Sequence, residues 1–175
     1  MDRREPTDDE TVREAEVLLG DAMREGKPME EGKAHRFYDR IRGSISSYLS
    51  RKGQKAGRAQ DFLFFAPDVF ILLFRLTQDS RVSGQNKVLL GTALAYYVFP
   101  IDIMPEALLG PIGFLDDLVF GVYVLNRMLA DTDEQVLRDH WSGTGDVLDM
   151  IRRVLKSADG LVASDVVAAI KKLVR

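Results

Sequence analysis

Apolar positions along most of this 175-residue chain recur at three- and four-residue steps, the spacing that lines up side chains on one face of an α-helix. Val12, Ala15, Leu19, Ala22 and Met23 form the first such row. A Thr7–Glu10 capping box precedes it and Gly26 ends it, which predicts a helix over residues 8–25. Ala34, Phe37, Ile41, Ile45 and Tyr48 form the second row, in a helix expected from about Met29 to Leu49, with Lys33, Arg36, Arg40 and Arg42 on its other faces. After the basic, glycine-containing stretch RKGQKAGRAQ the character changes, and DFLFFAPDVFILLFRL is apolar nearly throughout. Pro67 suits the first turn of a helix running to about Gln78, because its missing N–H is unpaired there anyway.

The remaining elements follow from the same signals. Ser83 is placed to cap a helix over residues 84–99, and Pro100, Pro105, Gly110, Pro111 and Gly113 break the chain between 100 and 113. A helix is expected from about Phe114 to Ala130, and Asp131 with Glu134 reads as the cap of a short one ending near Trp141. SGTGD is a turn, and Asp146–Ser157 and Ser164–Val174 read as two closing amphipathic helices. No period-two alternation, internal repeat or glycine-rich phosphate loop is present. The predicted fold is all-α, a single compact bundle of seven or eight helices. Its expected divisions are a charged helical extension over 1–58, an apolar core over 59–131, and C-terminal amphipathic helices over 132–175 packed on that core.

Charge is more informative by region than in the total of −3. Residues 1–31 carry eleven acids and five bases, whereas residues 33–58 carry eight bases and one acid. The absence of cysteine excludes disulfides, thiolate metal sites and cysteine nucleophiles. His35 and His140 show no metal-ligand spacing, and the acidic N-terminal residues do not read as a signal peptide, so the cytoplasmic side is expected. Spanning helices are disfavoured, because the 14-residue apolar run Val88–Ile101 reaches only about 21 Å across a hydrocarbon core of about 30 Å. Peripheral attachment to an anionic membrane surface through Lys33–Arg58 is the more credible membrane reading. A protein partner, or a homo-oligomer built through the N-terminal helices, is an alternative. Nucleic acid is disfavoured, since Phe37 and Tyr48 belong to the apolar stripe and are not interleaved with the bases for stacking.

The densest chemistry lies in YVFPIDIMPEALLGPIGFLDD, residues 97–117, where Asp102, Glu106, Asp116 and Asp117 stand in an otherwise apolar run. A carboxylate in such surroundings must be hydrogen-bonded, paired, metal-bound or neutralised. Asp116 and Asp117 suit the first turn of a helix, and Asp102 between two prolines suits a turn, so capping and turn-clasping account for each singly. If the four converge, with Asp79 as a further candidate, an all-oxygen set suits Mg²⁺, Mn²⁺ or Ca²⁺. A salt-bridge network with Arg75, Arg81 or Lys87 is the third reading. Neither a nucleophile nor a histidine base accompanies the acids, which weighs against catalysis.

Residues 72–129 resemble the YkvA-like family, a small bacterial domain of unknown function. The resemblance is carried by Asp79 in RLTQDSRV, by Pro100-Ile101-Asp102, by Met104-Pro105-Glu106, by Gly113, and by Leu115-Asp116-Asp117. Glu106 departs from the family's aspartate. The resemblance implies an all-helical domain often associated with membranes, one relative being fused to a membrane-embedded ubiquitin ligase, and it implies no activity. Together these readings point to a non-enzymatic binding or scaffold module at a membrane surface or on a protein partner. The alternative is a divalent-cation-binding module or metal-dependent hydrolase using Asp102, Glu106, Asp116 and Asp117.

Overall fold

The computed structural model describes residues 31–52, 59–98, 114–162 and 164–174. The predicted 8–25 helix and the 100–113 connection lie outside them. Within the described residues the chain is helical, with no strand. The helices are α1 (Glu31–Lys52), α2 (Ala59–Leu63), α3 (Phe65–Gln78), α4 (Gly84–Val98), α5 (Phe114–Met128), α6 (Glu134–His140), α7 (Val147–Leu161) and α8 (Ser164–Leu173). The all-α bundle expected from periodicity is the fold observed. Both edges of the basic stretch are helical, since α1 continues to Lys52 and α2 begins at Ala59.

α3 is the hub because almost nothing on it suits water. Ala66, Pro67, Val69, Phe70, Ile71, Leu72, Leu73, Phe74 and Leu76 are all buried, so the helix must be enclosed on every side. α4 and α5 pack against it and against each other, α1 covers a further flank, and α6 closes over it. α7 and α8 cover α5 from the outside. Burying each large side chain contributes about 1.5–3 kcal/mol, and these residues form one contiguous cluster reaching from Ala34 to Val174. α1 packs on α3 through Phe37, which stacks obliquely on Phe70 with ring centres 4.7 Å apart, and through Tyr38, which donates to Asp68 at 3.1 Å.

Polar side chains set where several helices start. Ser83 Oγ accepts from the Asn86 amide at 3.3 Å, the cap expected for α4. For α6 the capping residue is Asp133, which accepts from Gln135 N at 2.8 Å, and not Asp131 as the spacing to Glu134 predicts. Asp131 is used elsewhere, accepting at 2.7 Å from the buried Asn86 amide group, which also donates to Thr132 Oγ1 at 3.2 Å. A capping signature alone does not reveal that competing partner. Asp146 caps α7 through Leu148 N. In the turn before α7, the Trp141 indole covers Gly143 so closely that no Cβ fits, and its Nε1 donates to the Gly145 carbonyl at 3.0 Å. Gly145 itself holds φ +74°, a conformation that suits glycine.

Two helical glycines separate crowding from propensity. A Cβ on Gly121 of α5 would stand 3.0 Å from Val69 Cγ1 and 3.1 Å from Leu73 Cδ1, whereas one on Gly91 of α4 meets nothing within 4 Å. Gly121→Val is expected to destabilise the fold by about 1–3 kcal/mol through overpacking. Gly91→Ala is expected to stabilise it by about 0.5–1 kcal/mol through helix propensity. Urea denaturation of the two variants measures both.

Candidate functional site

The signature acids among the described residues fall at opposite ends of α4. Asp116 and Asp117 lie in the first turn of α5, where unpaired backbone N–H groups favour negative charge. Asp117 is nevertheless in a poor place to be ionised. The residue is half-buried, and burial, with the charge of Asp116 second, pushes its pKa well above the usual carboxylate range. Tyr97, near the end of α4, approaches the same face of α5. Its Cε2 lies 3.4 Å from where a Cβ on Gly121 would be, and Gly121 is one helical turn beyond Asp117. The Tyr97 ring packs at 5.6 Å on Phe70, and its buried hydroxyl has no hydrogen-bond partner among the described residues. Burial first, and then the charge of Asp117, raise the pKa of that hydroxyl.

Asp79, by contrast, is saturated with donors. It caps the C-terminus of α3, and its side chain is 8% exposed. The backbone N–H of Arg81 donates to its Oδ1 at 2.7 Å, and the Arg81 guanidinium donates to both oxygens, at 2.6 Å for the shortest contact. His140 Nε2 lies 2.7 Å from Oδ2. Arg81 also reaches Asp139 at 2.8 Å, and Arg75 donates to the His140 carbonyl at 3.0 Å. The α3–α4 turn is thereby tied to the end of α6. Hydrogen bonds from Arg81, and then from His140, hold the Asp79 carboxyl well below the usual carboxylate range.

This arrangement answers part of the question that the sequence raises. From Gly84 to Tyr97, α4 extends about 20 Å, so Asp79 does not converge with Asp116 and Asp117. Arg75 and Arg81 are engaged at the Asp79 end. Asp102, Glu106, Pro100, Pro105 and Gly113 lie outside the described residues. No group of three or more His, Cys, Asp or Glu residues suited to a metal ion occurs among the described residues. No described helix is long and apolar enough to cross a membrane. His140 is the residue that sequence reasoning undervalued: its partner is 61 positions away, and no local pattern announces such a contact. Tyr97 carries no sequence signal either, since a tyrosine in an apolar helix reads simply as core.

Comparison with known proteins adds a relationship without a role. Residues 86–121, from within α4 into α5, match the family model described as "Protein of unknown function (DUF1232)". The chain is also 26% identical over 98 residues to "Uncharacterized protein ORF9" of Methanothermobacter thermautotrophicus, covering 56% of this chain and 67% of that protein. No solved structure matches.

The two acids have opposite consequences for stability against pH. For Asp79, whose folded pKa is depressed, the stabilisation is present above the unfolded pKa of about 3.9 and lost as pH falls below it. Asp79→Asn is therefore expected to be less stable than the wild type at pH 7, the difference shrinking below about pH 4. For Asp117, whose folded pKa is raised, stability is full below the unfolded pKa and is lost as pH rises through the folded one. Asp117→Asn is expected to be more stable than the wild type at neutral and alkaline pH, and equal to it below about pH 4. Urea midpoints of the three proteins between pH 3 and pH 9, about the accessible range of carboxylate titration, separate these outcomes.

Proposed function

We propose that this chain is a YkvA-like helical binding module, without catalytic activity of its own, that attaches peripherally to an anionic membrane surface on the cytoplasmic side. The carrying observation is the use of the two faces of α1. Ala34, Ile41 and Ile45 are buried against the bundle, while Arg36, Arg42 and Arg51 are exposed. Over its length α1 holds six lysines and arginines against two acids. At the α2–α3 junction Phe64 is 44% exposed, and the Arg153 guanidinium sits 5.5 Å from the centre of the neighbouring Phe65 ring. An exposed aromatic close to a cation suits the boundary between headgroups and acyl chains. Each base near an anionic leaflet contributes about 1 kcal/mol, an attraction that salt screens within a Debye length of about 8–10 Å.

The cation-binding alternative draws its completeness from Asp102 and Glu106, outside the described residues. Asp116 and Asp117 are adjacent on a helix and point about 100° apart, so the two alone make a poor direct ligand pair.

Flotation with vesicles containing anionic phosphatidylglycerol tests the membrane reading. The protein is expected to float at low salt, to float several-fold less at about 0.5 M salt, and to lose flotation in an Arg36→Glu/Arg51→Glu variant. Both positions are exposed, so the fold should survive the change. Absence of flotation at low salt sinks the proposal.

A further inference from the structure

Tyr97 and Asp117 stand near each other without bonding. α4 and α5 pack side by side, and the Tyr97 ring, 3% exposed, approaches α5 at Gly121, one helical turn beyond Asp117. The charge of Asp117 acts on the Tyr97 hydroxyl, so both groups lie at the same end of the α4–α5 pair. Yet the hydroxyl makes no hydrogen bond among the described residues. A buried hydroxyl is costly to leave unpaired, and one aimed toward a carboxyl points to a ligand that bonds both. Asp117 itself is half-buried, which leaves the place reachable from water. We infer that Asp117 and Tyr97 hold a hydrated divalent cation of the Mg²⁺ class at this end of α4, with the Asp117 carboxylate as direct ligand and the Tyr97 hydroxyl accepting from a metal-bound water.

Charge decides the sign of the ligand. Burial and the Asp116 charge both disfavour ionised Asp117, and no base among the described residues offsets them. Arg75 and Arg81 are engaged at the opposite end of α4. Residues 99–113, which join α4 to α5 in sequence, contain no lysine, arginine or histidine. A positive ligand is what this end of the bundle lacks. The donor atoms then select its class. Carboxylate and phenol oxygens suit hard cations, and Mg²⁺ keeps several waters while using one or two carboxylates. A hydrated ion also removes the difficulty of adjacent ligands. Asp116 points about 100° away from Asp117 and is not required, because water completes the shell and Tyr97 meets it from the neighbouring helix.

Thermal melting and Mn²⁺ paramagnetic resonance on the full chain test the site, independently of the membrane reading. Mg²⁺ at about 5 mM, or Mn²⁺ at about 0.5 mM, is expected to raise Tm by about 3–5 °C over a chelator control with NaCl of equal ionic strength. Asp117→Asn is expected to abolish the rise. Tyr97→Phe keeps the ring on Phe70 and is expected to weaken Mn²⁺ binding by about 10- to 100-fold, the usual cost of losing an outer-shell partner. Asp79→Asn, at the far end of α4, is expected to bind Mn²⁺ like the wild type. A rise that survives Asp117→Asn belongs to other acids of the chain and overturns the site. So does a Tyr97→Phe chain that binds Mn²⁺ as tightly as the wild type. No rise with either cation also overturns it, and water alone then satisfies the hydroxyl.

Discussion

A helix with no polar side must be surrounded, and α3 imposes that condition on everything else in this bundle. Nine of its fourteen residues are buried, so one neighbour, or two, would leave apolar surface in water. Five described helices therefore meet it directly. This requirement explains why α1, charged over most of its surface, still belongs to the bundle: its apolar stripe, with Ala34, Ile41 and Ile45 buried, packs on α3. It also accounts for the glycine at position 121, where a Cβ on α5 would crowd Val69 and Leu73 at 3.0 and 3.1 Å.

The polar groups at the two ends of α4 illustrate how environment separates chemically identical acids. Asp79 is nearly enclosed but is met by a guanidinium, a backbone N–H and an imidazole, so its charge is wanted there. Asp117 is half-buried beside a second acid and near a tyrosine hydroxyl, and burial, with the charge of Asp116 second, raises its pKa although it lies at the favourable end of a helix dipole. Position relative to donors decides the outcome, and depth alone does not. Such a difference cannot be read from spacing, because Asp79 and Asp117 look alike in sequence: each is an acid at the boundary of an apolar helix.

The helices themselves were legible because burial acts through periodicity. The rows Ala34–Ile41–Ile45 and Val147–Met150–Ile151–Val154 appear in the structure as the buried faces of α1 and α7. Local chemistry was also legible where the partner is three residues away, as with Ser83 and Asn86. What escaped were contacts closed by the tertiary fold. The capping signature at Asp131 gives way to a bond with Asn86, 45 positions earlier, and His140, which shows no metal-ligand spacing, meets Asp79. Tyr38 meets Asp68, 30 positions later, only because α1 packs on α3. The acidic motif marked a family resemblance and a polar junction, and its residues beyond α4 and before α5 stay a matter of sequence.

The chain has one tryptophan, and the fold lodges it in the turn between α6 and α7, laid over Gly143 with its indole N–H bonded to the Gly145 carbonyl. Its emission is thus a spectroscopic probe of a single local hairpin far from α1 in sequence. Near-ultraviolet excitation at the red edge would follow the loosening of that turn specifically, whereas circular dichroism at 222 nm, a standard helical band, would follow all the helices at once. If the two signals part company during unfolding, the C-terminal helices come away from the hub as a separate cooperative unit.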